Sequence, residues 1–473
     1  MRIAGQACII SMHTGRRATT SQMNNASFIH HIKDKYCLIS PEQSSSVFIS
    51  EAHWKMLHDN HADDVMEQVE PVASCYGLSL KRKSIHYVDT AAMPVTGAAI
   101  FVAQQCNMDC IYCYGKGGEY GAPSMMEAAV LRKSIEWLFS QSQGREVKIT
   151  FFGGEPLMNF EAIRNAVEYG RKIAAEKKSA IRYGIVTNGL LLRDDIIRFL
   201  HENNFETLVS FDGPEEIQNR QRPIKGGGGS YHIVANNAAR LLESLPESSC
   251  KATLLNPGDK ARAITEIQRI GFKTSNIMYT LATPDHDFED KTAQDYTPIL
   301  IEESEFGNQL LAIIKKRDSD AVKKAQMKNS IVPLFFWRFL SNTKAFYPCG
   351  AGRSEVAIST NGDIYPCHRF VGNTRFRIGH VDGHTFDRST YVYPAIHRNN
   401  ACRSCFARYF CGGICYYENY AFNSDIYSPL SEKCAMIQHI VLIAAYVYAS
   451  LDAADLAFLA DIHFRPTNRG VDA

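Results

Sequence analysis

Between residues 95 and 318, segments typical of strands alternate with segments typical of helices, and this alternation limits the fold more than any other feature. Strands are predicted at 98–105, 147–154, 182–189, 207–213, 250–257 and 275–283. Amphipathic segments such as MEAAVLRKSIEWLFSQS and NFEAIRNAVEYGRKIAAEK separate them and predict helices. Alternating strands and helices build parallel sheets with right-handed crossovers. Six units are too few for a closed eight-stranded barrel, so we expect an α/β fold with an open, partial (β/α)6 barrel.

Composition and charge exclude several classes of protein. With 473 residues, 45% of them hydrophobic, the chain has an ordinary globular composition. Its net charge of +1 offers no basic face for nucleic acid. The N-terminus lacks the apolar region and cleavage site of a signal peptide, and the longest apolar run, IVLIAAYVYA, is too short to span a bilayer. We therefore expect a cytoplasmic protein that binds neither nucleic acid nor membrane.

Regions outside the barrel segment have different patterns. Residues 26–92 predict a small α+β module, with strands in FIHHIKDKYCLIS and SSSVFIS, a helix capped by Ser50, and a second helix in DDVMEQVEPVASCYGL. An apolar helix over 434–462 is expected to pack on the barrel. The predicted domains are a flexible tail at 1–25, the module at 26–92, the barrel at 95–318, a bridging segment at 319–340, a Cys-rich domain at 341–436, and a helix and tail at 437–473.

The chain has 14 cysteines, and most of them are clustered. In a reducing cytoplasm, clustered cysteines are metal ligands or redox groups more often than disulfides. Cys106, Cys110 and Cys113 form a CxxxCxxC motif with Tyr112 before the third cysteine. Three cysteines are one ligand short of a closed four-coordinate site, which favours a [4Fe–4S] cluster with one open iron. Zinc with a distant fourth ligand, or no metal, are the alternatives for this loop.

Further short motifs follow the next predicted strands. They are GGEP (Gly153, Gly154, Glu155), VTNG (Thr187, Asn188), SFDG (Ser210, Asp212) and, further on, Arg222. In parallel α/β folds, the chemistry lies at the C-terminal ends of the strands, where all of these motifs fall. Glycines allow close backbone approach, a carboxylate suits an ammonium group, and a guanidinium fork matches a carboxylate.

In this order, the motifs resemble those of the radical SAM superfamily. The resemblance implies that Cys106, Cys110 and Cys113 hold a [4Fe–4S] cluster whose open iron binds S-adenosylmethionine. Reductive cleavage of this cosubstrate gives a 5′-deoxyadenosyl radical. The residues implied in cofactor binding are Tyr112, Gly153, Gly154, Glu155, Thr187, Asn188, Ser210, Asp212 and Arg222.

A second set of cysteines has the pattern C-x12-G-x4-C, then C-x2-C-x5-C-x3-C, then C. This spacing resembles the SPASM domain, which carries two auxiliary [4Fe–4S] clusters; a pair of zinc ribbons is the alternative. The resemblance implies an outer cluster on Cys402, Cys405, Cys411 and Cys434 and an inner cluster on Cys349, Cys367 and Cys415. Sulfatase-maturing members of the family have an extra cysteine soon after the first one of this set, and this chain has none between Cys349 and Cys367. The resemblance therefore implies an inner cluster with an iron open to a substrate thiolate.

The residue after Cys367 separates this chain from the sulfatase-maturing members. Those relatives place an aspartate base there, whereas this chain has His368. The difference argues against formylglycine formation. His368 is a candidate proton acceptor, with a structural histidine as the alternative.

Residues 26–92 resemble leader-peptide-binding modules, and CYGKGGEYG and YPCHRFVGN resemble segments of thioether-forming peptide maturases. The resemblance implies an enzyme that joins a cysteine sulfur to a carbon in a ribosomal precursor peptide carrying a leader. Flavodoxin or ferredoxin is the expected electron donor. The alternatives are carbon–carbon crosslinking, decarboxylation, epimerisation, maturation of a quinohaemoprotein dehydrogenase subunit, or a non-catalytic iron–sulfur electron carrier.

Overall fold

A computed structural model describes residues 28–32, 34–59, 75, 92–279, 296–326, 331–383 and 385–465. The chain divides into two compact units, and neither is continuous in sequence. The barrel unit consists mainly of Asp89–Gln294 and Gly350–Tyr393, and the flanking unit of Met1–Val88, Asp295–Cys349 and Pro394–Asp472. This division reflects contacts between residues. It does not test the domain boundaries predicted from the sequence, which stay predictions.

Strands of the described residues fall into a three-stranded and a nine-stranded sheet. In chain order they are β1 Phe28–Ile32, β2 Lys35–Ser40, β3 Ser45–Ile49, β4 Gly97–Ala103, β5 Val147–Gly153, β6 Ile181–Thr187, β7 Glu206–Ser210, β8 Ser249–Leu254, β9 Thr274–Tyr279, β10 Glu355–Ile358, β11 Asp363–Tyr365 and β12 Gly379–His380. The six strands predicted for the barrel correspond to β4 through β9.

The longer helices, in chain order, are α1 Glu51–Asp59, α2 Ala128–Gln141, α3 Phe160–Lys177, α4 Asp194–Glu202, α5 Glu215–Gln221, α6 Tyr231–Ser244, α7 Lys260–Ile270, α8 Thr297–Lys315, α9 Ser319–Gln326, α10 Val332–Ser341, α11 Tyr416–Asn423, α12 Ser431–Ala449 and α13 Ala453–Asp461. Helices of four residues lie at Ser389–Val392, Ala395–Arg398, Asn400–Arg403 and Arg408–Cys411. Short 3-10 helices lie at Pro156–Asn159, Pro257–Asp259, His368–Phe370 and Thr374–Phe376.

The barrel unit is built on parallel strands that neighbour one another in sequence order, from β4 to β9. Alternate residues on each strand face opposite sides. On β5, the buried residues Val147, Ile149 and Phe151 pack in one core with Ile135 of α2 and Ile163 of α3. The helices therefore cover one side of the sheet, and Lys148, Thr150 and Phe152 face the other side, as in the predicted partial (β/α)6 barrel.

Strands β10 to β12 extend this sheet beyond β4, and the sequence analysis did not predict them. Strand β10 pairs in parallel with β4, and β11 and β12 follow as antiparallel strands. They are four, three and two residues long in a segment rich in Cys and Gly, so they carry almost no periodic signal. Part of the predicted Cys-rich domain thus continues the barrel sheet.

In the flanking unit, β1, β2 and β3 form an antiparallel sheet with β2 in the middle. Helix α1 begins after Ser50, whose side-chain oxygen accepts a hydrogen bond from the backbone N–H of His53 at 3.2 Å, so the predicted cap is confirmed. The predicted tail at 1–25 lies outside the described residues. Of the predicted second helix, DDVMEQVEPVASCYGL, only Cys75 is described.

The C-terminal helix differs from the prediction. We expected one helix over 434–462 packed on the barrel, but the structure has α12 and α13 with a break between them. Asp452 causes the break because it and Asp455 form a reciprocal capping box that starts a new helix. Helix α12 packs on the three-stranded sheet and on α8 and α10 within the flanking unit.

Within the described residues, no single helix is long and apolar enough to cross a membrane. Helices α12 and α13 would reach the required length only as a pair, and they meet at an angle of 106°.

Candidate functional site

The loop that carries the first three cysteines begins just after β4 and is anchored by its backbone. The N–H groups of Asp109 and Ile111 donate to the carbonyls of Pro223 (2.9 Å) and Gln221 (3.0 Å). The N–H of Lys225 donates back to the carbonyl of Asn107 at 2.9 Å. All three cysteines are half-buried and free of disulfides. The end of α5 and the segment after it therefore hold the cysteine loop in place.

Burial favours the neutral thiol form of Cys106 and Cys110 in the absence of a metal. It raises the pKa of Cys106 to about 11, with Glu155 as the next cause, and the pKa of Cys110 to about 12. Arg222 acts on both thiols in the opposite direction. A cysteine must be a thiolate to bind a metal, so binding of a metal cluster to this loop would release protons from the thiols.

Three glycines let the cysteine loop and the GGEP turn lie side by side. A Cβ on Gly153, whose φ is +136°, would lie 2.0 Å from the carbonyl oxygen of Ala103. A Cβ on Gly154 would lie 2.2 Å from the carbonyl oxygen of Gln105. Gly118, which the sequence analysis did not select, would place a Cβ 2.6 Å from the Cβ of Cys106 and 2.7 Å from the Cα of Gly154. Side chains at these positions would separate the two segments.

Glu155 joins GGEP to VTNG. Its fully buried carboxylate accepts hydrogen bonds from the Thr187 hydroxyl (2.8 Å) and from the backbone N–H groups of Asn188 (2.7 Å) and Leu157 (3.0 Å). Burial raises the pKa of Glu155 to about 7, against the effect of these hydrogen bonds. The Asn188 side chain donates to Asn107 Oδ1 at 2.7 Å. The second and third motifs therefore contact the cysteine loop directly.

Tyr112, Asp212 and Arg222 form a buried hydrogen-bonded chain. The Tyr112 hydroxyl donates to Asp212 Oδ2 at 2.6 Å and accepts from Arg222 Nη1 at 2.6 Å. Asp212 also accepts from Gln221 Nε2 (2.8 Å) and from the backbone N–H of Thr253 (2.9 Å). Burial raises the pKa of Asp212, and Arg222 opposes this shift. The sequence analysis selected three of these side chains and missed Gln221, since a glutamine in a helix carries no motif signal.

The arginine keeps a donor available for a ligand. Arg222 is 8% exposed, and within the described residues its Nε has no hydrogen-bond partner. Its guanidinium is close enough to Cys110 to lower the pKa of that thiol. Ser210 ends β7 nearby in sequence and is half-buried. A buried arginine with an open donor close to the Cys106 and Cys110 thiols fits an anionic ligand bound next to a metal cluster.

Comparison with known proteins identifies this arrangement. Residues 100–291 match the family model of the radical SAM superfamily. The chain contains a radical SAM domain. Domains of this family use a [4Fe–4S] cluster and S-adenosylmethionine, and the thiols and the open arginine donor described above fit both groups.

Curated relatives cover more than this domain. A cysteine-type anaerobic sulfatase-maturating enzyme of Clostridium novyi (strain NT) is 23% identical over 322 residues, which is 64% of this chain and 83% of that protein. A serine-type enzyme of Bacteroides thetaiotaomicron is 24% identical over 361 residues, 70% of this chain and 85% of that protein. The radical SAM cyclopropyl synthase TigE of Paramaledivibacter caminithermalis is 27% identical over 183 residues, 36% of each chain.

Solved structures share the fold. Native anSMEcpe with bound AdoMet and Kp18Cys peptide has a TM-score of 0.60 at 17% identity, covering 77% of this chain and 99% of that chain. Streptococcus suis SuiB bound to S-adenosylmethionine has a TM-score of 0.50 at 14% identity, covering 88% and 100%.

Beside the radical SAM cysteines, the CYGKGGEYG loop meets the YPCHRFVGN segment within the barrel unit. The His368 ring lies 4.9 Å from the Phe152 ring and 6.1 Å from the Tyr114 ring, centroid to centroid. A Cβ on Gly372 would lie 2.0 Å from the carbonyl oxygen of Tyr120. The two segments that resembled thioether-forming enzymes are thus in direct contact.

His368 is electrically neutral in this setting. Burial, with smaller contributions from Lys251 and Arg369, lowers its pKa to about 3. At neutral pH the ring has a free lone pair but would hold a proton only weakly. A role for His368 as proton acceptor stays a prediction.

The predicted outer set of cysteines is close together in the flanking unit. Burial raises the pKa of Cys411 to about 12, and Cys405, Cys434 and Cys402 each contribute to the shift. Gln438 Nε2 donates to Cys405 Sγ at 3.3 Å. Of the predicted inner set, Cys349 and Cys415 belong to the flanking unit and Cys367 to the barrel unit. That set stays a prediction.

Iron–sulfur clusters and single metal ions require different spacings of their thiolate ligands. In the part of the chain that the structure describes, no three or more Cys, His, Asp or Glu side chains are placed to hold one metal ion. In a four-iron cube each cysteine binds a different iron, so the thiolates stand farther apart than around one zinc ion.

Proposed function

We propose that this protein modifies a ribosomally made, cysteine-rich peptide and forms a thioether between a cysteine sulfur and a carbon atom. The contact between the CYGKGGEYG loop and the YPCHRFVGN segment carries the proposal. It sets Tyr114, His368 and Arg369 beside the cysteine loop that would produce the radical. A peptide residue presented there would meet side chains from both motif regions.

Within the radical SAM domain, the chain's own residues would bind and orient the cofactors. When bound, the cluster and S-adenosylmethionine supply a 5′-deoxyadenosyl radical that abstracts a hydrogen atom from the peptide. Cys106, Cys110 and Cys113 would hold the cluster. Arg222, oriented by the Tyr112 hydroxyl, would bind the methionyl carboxylate through its open donor. Glu155 and Asn188 hold the neighbouring turns against the cysteine loop.

The cofactor set that we propose is three [4Fe–4S] clusters. Cys402, Cys405, Cys411 and Cys434 would close one auxiliary cluster, and their mutual effect on their pKa values supports this set. Cys349, Cys367 and Cys415 would hold the other, with an iron open to a substrate thiolate. Flavodoxin or ferredoxin would supply the electron that cleaves S-adenosylmethionine, and the excess electron of thioether formation would leave through the auxiliary clusters.

The three-stranded sheet is our candidate site for the leader. Among the described residues, the outer edge of β3 pairs with no strand. An extended peptide can add to such an edge through main-chain hydrogen bonds. Peptide complexes of anSMEcpe support a peptide partner for this fold.

An anaerobic assay tests the proposal. The protein is reconstituted with iron and sulfide, reduced with dithionite, and given S-adenosylmethionine with or without the Cys-rich peptide encoded beside its gene. We expect peptide-dependent 5′-deoxyadenosine and a product that has lost two hydrogen atoms and one alkylatable thiol. A Cys106/Cys110/Cys113→Ala variant should yield neither, and a Cys75→Ala variant should match the parent.

Other products would identify the alternatives. Loss of two hydrogen atoms with every thiol still alkylatable indicates a carbon–carbon crosslink, and loss of carbon dioxide indicates decarboxylation. Deoxyadenosine with an unchanged product mass indicates epimerisation. If fully iron-loaded protein forms no deoxyadenosine with or without peptide, the result would favour the non-catalytic electron-carrier function.

A further inference from the structure

In the flanking unit, the turn between β2 and β3 places a carboxylate against the segment that carries the predicted outer set of cysteines. Glu42 lies in this turn, between Ser40 and Ser45. Its carboxylate forms an ion pair with the guanidinium of Arg408, and the two side chains are 9% and 5% exposed. Arg408 begins the short helix Arg408–Cys411, which ends at one of these cysteines. The N-terminal sheet therefore contacts the cysteine segment through a buried pair of opposite charges.

The same arginine binds the backbone of a second cysteine. Arg408 Nη1 donates to the carbonyl oxygen of Cys405 at 3.0 Å. The Cys405 sulfur accepts hydrogen bonds from the backbone N–H of Ala407 at 3.4 Å and from Gln438 Nε2 at 3.3 Å. Such donors stabilise a thiolate, and hydrogen bonds to the sulfurs help to set the potential of an iron–sulfur cluster. Polar contacts thus connect Glu42, through Arg408, to a predicted cluster ligand.

Apolar packing holds this contact in place. Ile32 of β1 and Ile39 of β2 share one core with Phe406 and Phe410, which flank Arg408 in sequence. Because a protein core is closely packed, the sheet and the cysteine segment cannot shift against each other without loss of contacts. The ion pair is therefore kept at a fixed position beside the Cys405 backbone.

The electrostatic effect of this pair matters more than its stability. A buried ion pair contributes little net stability, because desolvation of the two charges offsets their attraction. A cluster with four thiolate ligands is an anion in both oxidation states, and its reduced form carries one more negative charge. A nearby cation therefore raises the reduction potential, and a nearby carboxylate lowers it. Arg408 contacts Cys405 with one nitrogen and Glu42 with the other, so the carboxylate moderates the effect of the guanidinium.

We propose that Glu42, in the N-terminal sheet, is a positioning residue for the outer auxiliary cluster. It orients Arg408 against the Cys405 backbone, and the two charges together set the reduction potential of that cluster. The N-terminal module thus has a role in electron transfer that is separate from binding of a leader. The inference rests on the outer cluster of the proposed function.

The test is an anaerobic redox titration of the reconstituted full-length protein, followed by EPR. The outer cluster gives the signal that disappears when the whole outer set of cysteines is changed to Ala. Glu42→Gln should raise its potential, because the guanidinium loses its counter-charge, and Arg408→Met should lower it. We expect each variant to change the ratio of reduced to oxidised cluster at a fixed potential by about tenfold, which is about 59 mV for one electron.

Variants that keep the charges separate this effect from a loss of packing. Glu42→Asp and Arg408→Lys should stay closer to the parent potential than Glu42→Gln and Arg408→Met. Glu51→Gln is the matched control in the same module, since Glu51 pairs with Lys55 and 63% of its side chain is exposed. It should leave the potential unchanged. If Glu42→Gln folds poorly, the comparison of Arg408→Met with Arg408→Lys still decides.

Two results would overturn the inference. The first is a shift of the same sign in Glu42→Gln and Arg408→Met, because a loosened, more hydrated cluster moves in one direction whichever residue is changed. The second is an outer cluster that titrates at the parent potential in both variants, which would leave the proposed cluster intact. If changing the outer cysteines to Ala removes neither iron nor an EPR signal, the outer cluster itself is refuted, and the inference with it.

Discussion

At the scale of single residues, the close backbone contact between two loops leaves no room for a side chain at Gly154, and a substitution can test this. The Gly154→Ala methyl group would lie 2.2 Å from the Gln105 carbonyl oxygen and 2.8 Å from that of Gly118. Backbone atoms cannot move aside cheaply, so we expect a loss of about 1–3 kcal/mol in the free energy of unfolding. We also expect less iron bound after reconstitution. Urea unfolding and iron analysis measure the two effects.

The matched control for this prediction is Gly258→Ala. Its nearest contact would be the Asn256 side chain at 3.3 Å, which can rotate away. A Gly154→Ala protein as stable as the Gly258→Ala protein would contradict the proposed packing.

Arg222→Lys tests the open guanidinium donor. Lysine keeps the positive charge but loses the planar fork and the Nε donor, so we expect the Kd for S-adenosylmethionine to rise about tenfold. Equilibrium binding to the reconstituted protein measures this change. Arg220→Lys is the control, since Arg220 lies two residues earlier, within α5, with 58% of its side chain exposed. Equal affinities for the two variants would remove Arg222 from the cosubstrate site.

His30 predicts a pH dependence of stability. It is 4% exposed, its ring lies 4.3 Å from that of Phe406, and burial lowers its pKa to about 4. The unfolded chain, with a pKa near 6.5, binds the proton more tightly, so this contribution is complete above pH 6.5 and is lost as the pH falls towards 4. Between pH 7 and pH 5, the loss is about 2 kcal/mol.

His30→Phe keeps the ring contact and removes the titration. The fall in unfolding free energy between pH 7 and pH 5 should therefore be about 2 kcal/mol smaller in the variant than in the parent. Urea unfolding at the two pH values provides the measurement. Parallel pH profiles for the two proteins would show that His30 does not titrate as proposed.

Sequence motifs predicted the residues that form this site better than they predicted the neighbouring residues that hold them in place. Tyr112, Asp212 and Arg222 were selected by motif, and the structure joins them through hydrogen bonds. Gln221 was missed, because it matters through neighbours that are distant in sequence. Gly118 had a usable signal, since it lies in a glycine pair after the third cysteine, but only the approach of Gly154 explains it.

At the scale of secondary structure, strands with strong local patterns were predictable and short ones were not. Strands β4 to β9 have buried, alternating residues and helices between them, so period and spacing predict them. Strand β10 exists because it pairs with β4, from Glu355 with Gly97 to Ile358 with Ile100. Pairing over such a separation in sequence leaves no local pattern. The break before α13 depends on two aspartates that cap each other.

Asp452→Ala tests this break. The Asp452 side chain accepts from the backbone N–H of Asp455 at 2.9 Å, and the reverse bond from the Asp452 N–H to Asp455 is 3.0 Å. Removing the cap should lower the free energy of unfolding by about 1 kcal/mol. Asp461→Ala, at the other end of α13, should change it by less than about 0.5 kcal/mol. Chemical unfolding of both variants decides the prediction, and equal values would mean that the cap has no effect.

At the scale of the whole molecule, the proposed cofactors predict an iron count. Anaerobic reconstitution should give about twelve irons per chain, the content of three four-iron clusters. A variant with Cys402, Cys405, Cys411 and Cys434 all changed to Ala should hold about eight, since one cluster is lost. Iron and sulfide analysis with Mössbauer spectra would measure both. About four irons in the parent would restrict the clusters to the radical SAM domain.

The discontinuous flanking unit has a consequence for how the protein is made on the ribosome. Ile32, Cys37 and Ile39 of the N-terminal sheet share one core with Ile440 and Val441 of α12. At about 5–20 residues per second, the roughly 380 residues between Ile49 and Ser431 take about 20–80 s to synthesise. During that time the apolar face of the sheet lacks the helix that covers it. The nascent chain therefore needs protection from aggregation, and a fragment that stops before Ser431 would keep that exposed face permanently.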